Sequence, residues 1–355
     1  MSIPRLLTPG PVAVPEMVLE AIQQQPIPHR SATFEAFYGA LLSRLRYLYQ
    51  SQGMVCTLIG SGTYGVEITL RSLIRPESKV LVVHHGKFSQ RWRDDGTRQG
   101  WQVHNLASKW GEVPEPGKVI EHAQQIDALA AIVLTHCETS TGVMLDLEEV
   151  ARGIQKVHPD CLILVDGITT VGCVPFYFDD WGIDAAVCAS QKALMNPAGL
   201  ATVALSERAE AALLPTHHSD FANLYNYVSF ARDHSYPYTA PVQLLFGLKA
   251  ALDHIQEVGL PRIWNQTIQS ARYFRQGIQE LGGELFGAAN GLSLTAFSFP
   301  GKDSDELRRQ LEAASGFVLS GGQGELKGNI MRISHMGMAD QAAMSAVLAA
   351  FSTYL

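Results

Sequence analysis

Residues 161–172 read CLILVDGITTVG: five apolar residues, a carboxylate, a glycine, then small and hydroxylated residues. A run that is continuously hydrophobic rather than alternating fits a strand covered on both faces, as in a mostly parallel sheet. MVCTLIG (54–60), KVLVVHH (79–85), LAAIVLTH (129–136) and DAAVCAS (184–190) have the same character. Amphipathic stretches such as GVEITLRSLI (65–74) and DLEEVARGIQKVH (146–158) lie between them. Strands alternating with helices indicate an α/β domain whose sheet is sandwiched by helices.

Around this block the pattern changes. Upstream, SATFEAFYGALLSRLRYLYQ (31–50) places Phe37, Leu41, Leu45 and Leu48 on one helical face. Downstream, LPRIWNQTIQSARYFRQGIQEL (260–281) reads as a long helix that Pro261 opens. Short strand-like pieces (LSLTAFSF, NIMRISH) and two helices (303–314 and 340–355) follow. The expected division is an arm over 1–14, a large domain over 15–254 and a smaller α+β domain over 255–355.

The chain has 355 residues, 46% hydrophobic and 17% charged, with a net charge of −7. That is ample for a large core. Its lysines and arginines are scattered, which argues against nucleic acid as a partner. The five cysteines show no CxxC spacing, and most sit in or beside apolar runs as small hydrophobes. With no membrane-length apolar stretch and no signal-like N-terminus, the expectation is a cytoplasmic protein with no membrane partner.

In open α/β sheets, ligands bind outside the carboxyl ends of the strands. GSGTYGVE (60–67) ends one strand and starts a helix. It can be an anion cup built from Ser61, Gly62 and Thr63, or an ordinary turn with Thr63 as the helix cap. HHGKFSQRW (84–92) brings Phe88, which can stack on a planar ligand or fill the core. Its two adjacent histidines point to opposite sides of a strand and cannot share a metal from there. THCETSTGV (135–143) is a dense hydrogen-bonding loop, either a solvated turn or a ligand wall. Asp166 follows a buried run, so it is paired, neutralised or a cap. Lys192, in CASQKALMNPAG (188–199), is a lone amine among small and apolar residues. Burial there depresses its pKa and makes it a nucleophile, unless its stem merely carries the ammonium out to water.

If the loops converge, they fit one cofactor. Pyridoxal 5'-phosphate needs a lysine for its aldehyde, a carboxylate for its ring nitrogen, an anion cup and an aromatic ring to stack on. Lys192, Asp166, Gly62 with Thr63, and Phe88 supply one each.

With these motifs the chain resembles the alanine–glyoxylate and serine–pyruvate (serine–glyoxylate) aminotransferase family, class V pyridoxal-phosphate enzymes of fold type I. The resemblance runs over nearly the whole chain. It is carried by TPGPVAVP (8–15), PHRSATF (28–34), GSGTYGVE, GKFSQRW, THCETSTGV, LVDGITTVG, GIDAAVCASQKAL (182–194), YPYTAP (236–241) and GGQGELKGNIMRISHMG (321–337), in that order. It implies a seven-stranded-type sheet in the large domain and a Lys192 Schiff base (internal aldimine), with Lys192 then the acid/base at the substrate α-carbon. Asp166 pairs with the ring nitrogen, Phe88 and Ile168 cover its two faces, and Thr139 serves the ring hydroxyl. Ser61, Gly62, Thr63 and Gln191 hold the phosphate, completed by Tyr236 and Thr239 from the neighbouring subunit of a homodimer. Arg332 clamps the substrate carboxylate with Gly10 nearby. The implied reaction moves the amino group of alanine or serine to glyoxylate or pyruvate.

Two departures stand out: Ala189 where many relatives carry glycine, and NPAG after the lysine. HHSDFANLYNYVSFARDHSYPYT (217–239) has no assigned role. A 2-aminoethylphosphonate transaminase, or a catalytically silent accessory subunit of the same fold, is the competing expectation. A cysteine desulfurase would need an exposed, nucleophilic cysteine. A dinucleotide enzyme would need a glycine fingerprint that is absent.

Overall fold

The structure is a computed structural model that describes residues 5–214 and 221–355. Its large body is built on seven strands: β1 (Met54–Ile59), β2 (Lys79–His84), β3 (Gln102–Ala107), β4 (Leu129–Thr135), β5 (Leu162–Asp166), β6 (Ala185–Ala189) and β7 (Leu200–Leu205). They lie in the order β1-β7-β6-β5-β4-β2-β3. All are parallel except β7, which runs antiparallel to both β1 and β6. β4, β5, β6 and β7 are buried almost throughout because neighbours and helices cover both faces. β3 reads QVHNLA and is largely exposed, as the outermost strand of the sheet. That polarity is why it has no apolar run of its own.

Helix α1 (Ala32–Tyr49) begins at Ser31, whose hydroxyl accepts from Phe34 N at 3.2 Å. It buries Phe34, Tyr38, Leu41, Leu42, Leu45 and Leu48, while Phe37 is only half-buried. α2 (Gly62–Leu73) and α3 (Lys87–Arg98) start directly after β1 and β2, so both N-termini open at the carboxyl edge of the sheet.

The C-terminal portion folds over a four-stranded antiparallel sheet. Its strands are β8 (Glu284–Leu285), β9 (Leu294–Ser298), β10 (Ser320–Gly321) and β11 (Met331–Ser334), in the order β8-β9-β11-β10. α4 (Val242–Val258) packs on the large body. α5 (Leu260–Glu280) links the two cores: Trp264 belongs to the large one, Phe274 and Ile278 to the small one. Pro261 sits in its first turn, where a missing N–H costs nothing. The N-terminal residues Arg5–Leu6 pair in parallel with Phe317–Val318, and Leu7 enters the small core. Among the described residues no helix is long and apolar enough to cross a membrane.

Candidate active site

The ends of β1, β2, β4, β5 and β6 surround a cavity of about 120 Å³. Ser61, Gly62 and Thr63 line it from the first loop, Phe88 from the second and Thr139 from the third. Asp166 and Ile168 come from the fourth, Gln191 and Lys192 from the fifth. Sheet register brings them together, since Asp166 pairs with Thr135 on one side and Val187 on the other.

Lys192 follows β6 in a turn, and its Nζ donates to the carbonyl of Pro9. Burial lowers its pKa from 10.5 to about 8, Arg332 adding to the effect while Asp166 opposes it. Gly10 touches the same amine: a Cβ there would lie 2.2 Å from Nζ. With φ at +120°, glycine is the residue this backbone and this close approach require.

Asp166 is 6% exposed. Its Oδ2 accepts from Trp92 Nε1 at 3.0 Å and its Oδ1 from Ile168 N at 3.1 Å. Burial nevertheless raises its pKa from 3.8 to about 6. A carboxylate with two neutral donors and spare lone pairs is set to receive a protonated ring nitrogen. It caps no helix, because the residues after it form turns.

At the cup, Ser61 caps α2, accepting from Tyr64 N at 3.3 Å. The cap is therefore Ser61 and not Thr63, which lies in the first turn with its hydroxyl accepting from Arg91 Nη1 at 2.8 Å. The first-turn N–H groups and the helix dipole face the cavity edge. A Cβ at Gly62 would come within 2.8 Å of Ala189 and Ile168, so glycine also lets the helix sit tight on β6. Gln191 Oε1 is buried without a partner among the described residues, a polar atom left for a ligand or water. Lysine, carboxylate, cup and stacking ring thus fit pyridoxal phosphate.

Arg332 is 4% exposed on β11 and does not itself line the cavity. Its Nη1 donates to Thr139 O at 2.7 Å, while Nε and Nη2 donate to Gly321 O at 3.0 and 2.8 Å. Three of five N–H groups are used, leaving one on each Nη for a carboxylate. Burial draws its pKa down to about 10.

Tyr236, which the resemblance assigns to a neighbouring subunit's cup, packs inward in its own chain. The side chain is 1% exposed, packed edge-on against Tyr38, with its hydroxyl donating to Thr57 O at 3.0 Å. It is a core residue of its own chain. Thr239, three residues on, is exposed. His217 and His218, in the stretch without an assigned role, lie outside the described residues.

Two residues carry more than their sequence context showed. Trp92 lines the cavity and holds Asp166. It stands four residues after Phe88, and that spacing on a helix puts both on one face. Glu138, fully buried, accepts from Phe88 N, Ser89 N, Ser89 Oγ, Ser140 N and Ser140 Oγ at 2.7–3.2 Å. It is no ligand wall: it fixes the first turn of α3, and with it the Phe88 ring.

The family described as "Aminotransferase class-V" matches residues 28–345. The chain is 34% identical to the "Soluble hydrogenase, small subunit" of Synechococcus sp. (strain PCC 6716), covering 99% of this chain and 92% of that one. It is 32% identical to the L-aspartate–glyoxylate aminotransferase of Paracoccus denitrificans, covering 97% and 89%. It is 29% identical to the serine–glyoxylate aminotransferase of Methylorubrum extorquens, also covering 97% and 89%. Among solved structures, an aspartate aminotransferase of subgroup IV from Thermus thermophilus superposes with a TM-score of 0.92 at 30% identity, covering 98% of both chains. An alanine–glyoxylate aminotransferase from Nostoc sp. gives 0.91 at 28%, covering 99% and 95%. A family match over most of its length, and superposition on aminotransferases over nearly all of it, show that the chain belongs to the class-V aminotransferases, pyridoxal-phosphate enzymes of fold type I.

Proposed function

We propose that the protein transfers the amino group of a small amino acid, alanine or serine, to glyoxylate or pyruvate. One observation carries the choice of substrate. Among the described residues lining the cavity Lys192 is the only cation; Arg91 touches its wall at Thr63, in the anion cup, which leaves Arg332, at Thr139, as the guanidinium for a substrate carboxylate. One carboxylate clamp suits an amino acid with a small neutral side chain. A dicarboxylate such as aspartate, or a phosphonate, would call for a second clamp or a dianion site.

Bound pyridoxal phosphate supplies an electron sink that takes up an amino group from one acid and gives it to another. The protein's own share is specific. Arg332 offers its remaining N–H pair to the substrate carboxylate and so aims the α-carbon at the cavity. Lys192, whose amine is partly neutral near pH 8, takes the α-proton at Nζ and returns it on the far side of the transfer. Asp166, ionised above about pH 6, holds a proton on the ring nitrogen by charge. Phe88 and Ile168 close the two faces of the slot.

The hydrogenase name carried by two relatives suggests a second reading, an accessory subunit without catalysis. The site favours the enzyme. A buried amine and a buried carboxylate, each with its pKa shifted against its own charged form, are costly to keep unless chemistry uses them. As an enzyme the protein acts as a homodimer, with Tyr236 and the exposed Thr239 at the segment assigned to a partner's cup.

A substrate panel tests the assignment. With glyoxylate as acceptor, kcat/KM for alanine or serine is expected to exceed that for aspartate by at least about 100-fold. Aspartate turned over as well as alanine and serine, or better, would overturn the substrate assignment.

A further inference from the structure

We propose that Arg91 is a positioning residue for the cofactor phosphate, acting through the hydroxyl of Thr63. Arg91 lies on the first turns of α3, half-buried, and among the described residues it forms no ion pair. Its guanidinium sits 5.3 Å from the Phe88 ring centroid, and Nη1 donates to Thr63 Oγ1 at 2.8 Å. A guanidinium can only donate, so this bond occupies a lone pair of the threonine oxygen. The single hydroxyl proton of Thr63 must then point elsewhere. Thr63 lines the cavity, and its hydroxyl donates to no other described residue. The proton is thus free for an anion in the cup, and the charge behind it makes it a stronger donor.

Arg91 puts positive charge beside the cup from the chain itself. One stretch of α3 then serves three sides of the cofactor: Phe88 the ring face, Trp92 the Asp166 carboxylate and Arg91 the phosphate donor. The inference rests on the cofactor and not on the choice of substrates.

Titrating the full-length apoenzyme with pyridoxal phosphate and with pyridoxal, which has no phosphate, separates this role from a structural one. Arg91→Gln should weaken pyridoxal phosphate about tenfold and leave pyridoxal unchanged. Thr63→Val should do the same, and the double variant should lose no more than either alone. Parallel weakening of both ligands, an undiminished preference for the phosphate, or losses that multiply in the double variant would each overturn the proposal. All these readouts are binding constants, so a failed substrate assignment leaves them untouched. A wild-type chain that binds no pyridoxal phosphate would overturn the cofactor and this role together.

Discussion

Burial moves the Lys192 amine down to about 8 and the Asp166 carboxyl up to about 6. About a tenth of Lys192 is then neutral at pH 7, against less than about one part in a thousand for an ordinary lysine. Capture of pyridoxal phosphate by the apoenzyme should therefore accelerate with pH and level off above about pH 8; a stopped-flow pH profile checks this. Asp166 gives a prediction of opposite sign. Its native pKa lies above the unfolded value, so the native state binds more protons between about pH 4 and 6 and loses stability as pH rises through that window. Asp166→Asn removes the charge. Above pH 6 the apo variant should be more stable than wild type by up to about 3 kcal/mol, with the gain gone below about pH 4. Urea melts at two pH values would show it, alongside collapsed activity. Both residues were legible in the sequence because a charge after an apolar run needs a reason. Tyr236 came from the family resemblance alone, and its packing against Tyr38 and Thr57 rests on long-range contacts that no local pattern shows.

At the scale of elements, α3 depends on Glu138. Five donors converge on that buried carboxylate, three of them backbone N–H groups. Glu138→Ala strands them and should cost about 3 kcal/mol or more in a denaturant melt. It should also weaken cofactor binding, because Phe88 rides on the freed turn. Glu138→Gln, which keeps an acceptor, should lose less on both counts. Five of the buried strands were legible, since runs such as VLVV, AAIVL and LILV leave little choice, whereas the equally buried LATVAL of β7 was not read as a strand. β3 was not, because an outer strand has no need of a continuous apolar run. The reversed direction of β7 was hidden too, since a hydrophobic run carries no sense of orientation.

Across the whole molecule, the N-terminal arm joins the two bodies at the active site. Leu7 O accepts from Ser334 N on the four-stranded sheet, Pro9 O accepts from Lys192, and Val12 N donates to Gln191 O beside the seven-stranded one. Gly10→Ala would drive a methyl group into the lysine amine and strain a left-handed backbone. We expect a stability loss of about 1 kcal/mol but a loss of activity beyond about tenfold, seen as slowed cofactor capture in the same stopped-flow assay. At this scale the sequence showed the family through the order of its motifs, each short alone but consistent over nearly the full chain. It could not show the arm's route, which rests on contacts between residues about 180 or more positions apart.

The most direct test of the account is the visible spectrum of the purified holoenzyme, first with L-alanine or L-serine, then with glyoxylate. The account predicts a cofactor band that bleaches with the amino acid, returns with glyoxylate, and loses both responses in Lys192→Ala, together with any borohydride-trapped adduct. A protein that gains no band from added pyridoxal phosphate, or a band that neither substrate changes, would contradict it and leave the accessory-subunit reading in its place.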